Sequence, residues 1–221
     1  ILPVPVAPRE TLSEPADPIV VPVYRAERGM IVEVPLERYV RGVLAAEMPA
    51  DFELEALKAQ AIAARTYLAR RLAKGAPDDM PPEAGDALIT DTVQHQLFYS
   101  EDELREQWGI FGYARRMDRL TRAVNETKGL ILTYEGEPIQ ATFFSTSNGY
   151  TENSENYWNE YVPYLRSVES PWDRLYSPNY ERTTSVSFEE FYKRLGLPQS
   201  NKAPALETVE LSETGRILQI D

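Results

Sequence analysis

Two apolar runs, Val20–Tyr24 and Met30–Val34, flank the polar stretch Arg25-Ala26-Glu27-Arg28-Gly29, an arrangement that predicts a hairpin. Helical spacing of apolar residues begins at Pro35, a residue favoured in a first helical turn, and runs to Met48, where Pro49 ends it. A second helix is predicted over about Glu53–Lys74, rich in Ala, Leu and Arg and ended by Gly75. Ala76–Gly85 holds Pro77, Pro81 and Pro82 and reads as a loop, while Leu88–Tyr99 fits neither period. A third helical region, about Glu101–Lys128, is interrupted at Gly109 or Gly112 and stops at Gly129. Leu130–Tyr134 and Pro138–Phe144 predict a further hairpin around Glu135-Gly136-Glu137.

After Ser145 the pattern turns to loop, and aromatic residues crowd in from Tyr150 to Tyr180. Ser187 and Glu190 form a capping-box pattern for a short helix to Leu195, and Leu206–Leu211 pairs with Arg216–Ile220 as a last hairpin. Helices alternating with hairpins, without repeated βαβ units, predict an α+β fold. The expected arrangement is a helical portion packed on antiparallel hairpins with a substrate groove between them. Residues 1–22 carry six prolines and read as an extended linker, with residues 23–221 as the working domain. The first residue is Ile, and the expectation is that an N-terminal anchor or signal preceded it.

Composition narrows the chemistry. With 43% hydrophobic and 26% charged residues the chain is globular in type. Lys plus Arg number 23 against 35 for Asp plus Glu, and the resulting charge of −12 argues against nucleic acid or anionic lipid as the main partner. Cysteine is absent, which removes disulfides, thiolate metal sites and a Cys nucleophile together. A zinc site or a Ser-His-Asp triad would have to rest on the single histidine, His95, and no G-x-S-x-G elbow surrounds any serine. The reading is therefore no metal and no cofactor, with carboxylates carrying the chemistry.

On a helical wheel, Leu36, Tyr39, Val40, Val43 and Leu44 share one side of the first helix, and Glu47 falls at the centre of that apolar arc. Partial desolvation and the negative end of the helix dipole both raise the pKa of a carboxyl so placed, as a general acid near neutral pH requires. The plainer alternative is a Glu that marks the helix end and turns back to solvent or to an arginine. Lys58 and Arg65 fall inside the apolar arc of the second helix, either as long side chains reaching past a core edge or as cations facing a cleft with Glu47. Ser145, Ser147 and Asn148-Gly149, followed by Tyr150 and Trp158, combine hydroxyls and amides with rings, as a carbohydrate site does. The alternative there is a polar turn before an aromatic satellite core.

The string from Leu36 to Pro49, which ends Glu47-Met48-Pro49, and the string from Glu55 to Tyr67 resemble the stage II sporulation protein D family. So do Thr127–Leu130, Phe143–Glu152 and Tyr164–Val168, in the expected order. The resemblance is strong over Val20–Trp172 and weak from Thr214 onward. It implies a membrane-tethered, extracytoplasmic lytic transglycosylase that cleaves peptidoglycan glycan strands and works with a cell-wall amidase. It implies Glu47 as the catalytic acid, Lys58 and Arg65 as its basic support, and Ser147 and Tyr150 on the loop lining the glycan groove; Ser145 and Trp158 are expected beside them from the hydroxyl and ring pattern alone. Members often carry His where this chain has Phe144 and Gly where it has Asn148. Some hold zinc through Cys and His, which this chain lacks apart from His95. The rival implication is a non-enzymatic glycan binder that enhances an amidase.

Overall fold

The computed structural model describes residues 7–12, 19–75, 79–178 and 180–220. Most of the proline-rich lead-in, residues 1–6 and 13–18, and part of the predicted 76–85 loop, residues 76–78, lie outside the described residues. The chain divides into two units, Ile1–Thr142 and Phe143–Asp221.

In the first unit, β1 (Arg9–Thr11), β2 (Val20–Arg25), β3 (Met30–Pro35) and β4 (Ile89–Thr90) form one sheet in the order β1-β3-β2-β4. The predicted hairpin is present: β2 and β3 pair antiparallel from Val20↔Pro35 to Arg25↔Met30. Its turn closes on Gly29 at φ 58°, a left-handed conformation that glycine adopts without a side-chain clash. The outer strands correct the expectation of hairpins alone, because β1 joins β3 and β4 joins β2 in parallel. The described part of the lead-in is extended, as its composition predicts, yet it is paired, and Leu12 packs against the core.

Each face of this sheet is covered. Val21, Val23, Val32 and Val34 meet the helices, whereas Tyr24 and Ile31 pack on Ala84 and Ala87. The helices are α1 (Leu36–Glu47), α2 (Leu54–Lys74) and α3 (Glu101–Glu126), close to their predicted bounds. Val40, Val43 and Leu44 of α1, Leu57, Ala61, Ala64 and Leu68 of α2, and Leu120, Ala123 and Val124 of α3 make the core between them. α3 opens on a capping box in which Ser100 Oγ accepts from the Glu103 amide and the Glu103 carboxylate accepts from the Ser100 amide. Its break falls at Gly109, φ 64°. Arg25 ties sheet to helix by donating to Asp91 at 2.6 Å and to both Glu103 oxygens at 2.7 and 2.8 Å.

The hairpin around Glu135-Gly136 is shorter than predicted, β5 (Thr133–Tyr134) with β6 (Glu137–Pro138). Positive φ at Glu135 (52°) and Gly136 (86°) gives the turn whose twist suits two strands, and Pro138, lacking an amide donor, curtails the ladder.

The second unit contains α4 (Glu155–Trp158), α5 (Asp173–Tyr176), α6 (Phe188–Arg194), β7 (Thr208–Leu211) and β8 (Ile217–Ile220), the two strands pairing antiparallel as expected. Ser187 caps α6 by accepting the Glu190 amide, while the Glu190 carboxylate takes Arg194 instead of completing a box. Among the described residues no apolar side chain of this unit is fully buried; the buried ones are Ser147, Ser154 and Ser212. Hydrogen-bond hubs hold it instead. Both units together make an α+β chain. No helix among the described residues is long and apolar enough to cross a membrane.

Candidate active site

α1 carries Glu47 as its last residue, one position before Met48 leaves the helix with extended backbone. Four residues of the preceding turns, Tyr39, Val40, Val43 and Leu44, are fully buried, and the same face brings Glu47 into a half-buried position. Its Oε1 accepts the backbone N–H of Leu97 at 3.2 Å. Burial raises the carboxyl's pKa above the ordinary glutamate range, and the Leu97 hydrogen bond, which favours the charged form, offsets part of that rise. A carboxyl in this state keeps its proton to higher pH than an exposed one and is suited to donate it.

The segment that supplies Leu97 is fastened to α1 residue by residue. Tyr39 Oη donates to Gln96 Oε1 at 3.0 Å inside the core. The Phe98 ring stacks on Tyr39 with centroids 5.5 Å apart. Tyr99 donates its amide to the Gly42 carbonyl at 3.4 Å. Gly42 permits this approach: a Cβ there would lie 2.4 Å from Phe98 Cε2 and 2.6 Å from the Tyr99 carbonyl oxygen.

Lys58 and Arg65, both on α2, have separate partners. Lys58 Nζ lies 2.8 Å from Glu55 Oε1 and 2.5 Å from Glu126 Oε2, and these carboxylates raise its pKa, Glu126 more than Glu55. Arg65 is 2% exposed. It donates through Nε and Nη2 to the two oxygens of Glu37 at 3.0 and 2.7 Å, and through Nη1 to the Leu130 carbonyl at 3.2 Å. Of the two openings left by the helical wheel, neither fits Arg65: it reaches inward to Glu37 and a carbonyl, not outward to water. Among the described residues no basic side chain pairs with Glu47.

Ser145, Ser147, Tyr150 and Trp158 belong to the second unit. Ser145 is exposed. Ser147 is buried, its amide donating to Asp173 Oδ2 at 2.7 Å and its hydroxyl to the Ser170 carbonyl at 3.1 Å, so it shapes the loop from within. Tyr150 and Trp158 are 43% and 45% exposed, and Trp158 meets Tyr157 edge to face at 4.8 Å. These rings therefore form no closed satellite core. Glu152 is the hub of the loop: Asn153 N–H, Asn156 Nδ2, Ser212 Oγ, Thr214 Oγ1 and Arg216 Nη1 all donate to its carboxylate. Burial alone would raise its pKa, but these donors outweigh it and hold the carboxyl at about 2.

Three participants escape the sequence reading. The Leu97 amide is a backbone group, which no residue type announces. Glu152 carries a faint signal, being an acid two residues from Tyr150, whereas Glu37 carries none, because its partner Arg65 lies on another helix. Among the described residues no group of three His, Asp or Glu is placed to hold a metal ion.

Comparison with known proteins gives concordant results. The profile of the family described as Stage II sporulation protein (SpoIID) matches residues 24–134. The chain is 47% identical over 188 residues, 85% of its length, to Stage II sporulation protein D of Bacillus subtilis (strain 168), and 48% identical over 187 residues to that of Bacillus amyloliquefaciens. It spans about half the length of these curated relatives, 53% and 52%. Over 126 residues, 57% of this chain and 14% of the relative, it is 36% identical to the Amidase enhancer of Bacillus subtilis (strain 168). With a buried-edge Glu47 at the end of α1, the ordered motifs around it and a family profile covering half its residues, the chain belongs to the Stage II sporulation protein D family.

Proposed function

We propose that this chain is a peptidoglycan lytic transglycosylase, acting outside the cytoplasm, in which Glu47 is the single catalytic carboxyl. The observation that carries the reading is the half-buried position of Glu47, where burial raises its proton affinity. Most glycosidases need two carboxyl groups, one to protonate the leaving oxygen and one to act on water or on the sugar. A lytic transglycosylase manages with one. Protonated Glu47 donates to the oxygen linking N-acetylmuramic acid to N-acetylglucosamine. As a carboxylate it then takes the proton of the muramic acid C6 hydroxyl, whose oxygen closes on the anomeric carbon. The leaving chain departs with a free hydroxyl and the muramic acid is left with a 1,6-anhydro ring, so no water is consumed.

Lys58 supports the substrate side of this site, and Arg65 supports it from beneath by fixing α1 to α2 through Glu37. Ser145 and the exposed rings of Tyr150 and Trp158 offer hydroxyl and stacking contacts to sugar, over a loop that Ser147 braces. A cell-wall amidase is the proposed partner, since one relative is named for enhancing an amidase.

The test is incubation of purified glycan strands with the wild type and with Glu47→Gln, followed by mass spectrometry for anhydro ends. Anhydro product from the wild type alone is expected. Equal product from both forms removes Glu47 from the mechanism. No product from either, with an amidase accelerated by both, favours the second reading, a non-enzymatic enhancer.

A further inference from the structure

The only histidine of the chain has no part in the reaction described above, yet it is among the most enclosed polar side chains of the first unit. The His95 side chain is 1% exposed. Its Nδ1 accepts the backbone N–H of Thr90 at 3.1 Å and lies 2.7 Å from Thr90 Oγ1. Its Nε2 lies 3.0 Å from Asp79 Oδ2. With Nδ1 occupied as an acceptor, the proton sits on Nε2 and is donated to Asp79, which fixes one tautomer and one ring orientation.

Asp79 is itself fixed. Arg71 of α2 donates to both of its oxygens at 3.1 and 3.2 Å, and anchors in turn on the Leu88 carbonyl at 3.0 Å. Gln94 donates to the Asp79 carbonyl at 2.8 Å, and the His95 amide donates to the Thr92 carbonyl at 3.0 Å. One residue after His95, Gln96 is gripped by Tyr39; two residues after, Leu97 presents its N–H to Glu47. The histidine thus stands at the start of the strap whose third residue meets the carboxyl.

We infer that His95 is a positioning residue: by gripping Asp79 and Thr90 from a buried seat it holds the strap so that the Leu97 amide stays on Glu47. The geometry stands by itself, whereas its bearing on turnover rests on the reading of Glu47 as the proton donor. The ring does this in its neutral form. Burial, with the nearby Arg71 charge, depresses the His95 pKa against the pull of Asp79, so the imidazole remains a Thr90 acceptor at neutral pH.

The inference is tested by following the Glu47 side-chain carboxyl through a pH titration by carbon-13 NMR, in the 221-residue chain and in His95→Ala. Freed of the Leu97 donor, Glu47 should titrate about one pH unit higher, the scale of losing one hydrogen bond to a carboxylate. The descending limb of the pH–rate profile should move upward with it. A loss of packing alone would lower stability and leave that carboxyl pKa in place. If His95→Ala does not fold, Asp79→Ala takes its place, removing the partly exposed partner while leaving the ring. An unmoved Glu47 pKa in a folded variant overturns the inference. Should the wild type yield no anhydro product, the proton-donor reading falls, and the carboxyl titration still decides the role of His95.

Discussion

Arg65 and Glu37 form a two-pronged ion pair that joins the middle of α2 to the first turn of α1, with the arginine buried and the glutamate nearly so. A bidentate pair of this kind fixes orientation as well as distance, because the planar guanidinium meets both carboxylate oxygens at once. It also means that the helix carrying Glu47 is registered against its neighbour by a side chain that substrate need not touch.

Replacing Arg65 therefore acts first on folding. Arg65→Ala removes the cation facing Glu37 and opens a cavity, and is expected to cost about 3 kcal/mol or more in stability. Arg65→Lys, which has no fork, should recover only part of this. Lys58→Ala, on a surface pairing with Glu55 and Glu126, should leave the unfolding midpoint close to the wild type while lowering product yield. Urea denaturation beside product analysis separates the two residues. A stable Arg65→Ala with lost activity would return Arg65 to the substrate.

The raised pKa of Glu47 has a definite sign in both rate and stability. A general acid works while protonated, so turnover should fall as pH climbs through the Glu47 pKa, at a pH above that of an ordinary glutamate. For stability, a carboxyl whose folded pKa is raised contributes below its unfolded pKa, and that contribution is lost as pH rises through the folded value. Above it the wild type holds a half-buried charge that glutamine lacks. Glu47→Gln should accordingly be inactive and at least as stable as the wild type. A pH–rate profile and melting curves across the same range check both halves.

Gly42→Ala is expected to be severely destabilising, by roughly 2–3 kcal/mol, for an overpacking reason. The new methyl would press on the Phe98 ring and on the Tyr99 carbonyl, and a backbone oxygen cannot swing aside as a flexible side chain does. Chemical denaturation gives the stability change. A neutral effect would mean that the strap is looser on α1 than its contacts imply.

Stability should decline as the solution is acidified below about pH 4.5. At Glu103 burial opposes ionisation, but the hydrogen bond from Arg25, then those from the Ser100 amide and hydroxyl, outweigh it and hold the carboxyl at about 2; Glu152 is held at about 2 by its own ring of donors. Folded pKa values below the unfolded ones give stability that is present above about pH 4.5 and lost as pH falls toward 2. Circular dichroism between these limits follows the loss. Glu152→Gln should remove the second unit's share of the dependence, and an unchanged acid transition in that variant would exclude Glu152 as its source.

Much of the first unit was legible because its signals are local. The Arg25–Gly29 turn, the prolines bounding α1, the glycine after α2 and the break at Gly109 each act on the backbone within a few residues. Glu47 was legible for a similar reason, since a carboxylate on an apolar arc is conspicuous on the wheel. What joins distant segments was not. Nothing in the two-residue β4 marks it as a partner of β2, and Arg65 looked like a cation at a core edge because its acid lies on another helix. The wheel gave Glu47 its neighbourhood but not Leu97, as a backbone donor leaves no trace in residue type. In the second unit the crowding of Tyr and Trp suggested either sugar or a satellite core. Most of those rings are exposed while Ser147, Ser154 and Ser212 are buried, an inversion that hydrophobicity patterns are poorly suited to foresee.

The parallel seating of β4 on β2 also orders events in time. Val23 pairs with Ile89, and all of α1 and α2 lies between them in the chain. The β2–β3 hairpin can form as soon as residue 35 is made, but its open side stays a bare edge until the chain has passed Thr90. Only then can Thr90 receive the residues that follow it. The proton donor at the end of α1 is thus synthesised well before the amide that meets it, and the site is completed by a long-range closure, fifty residues on, that precedes the docking of α3.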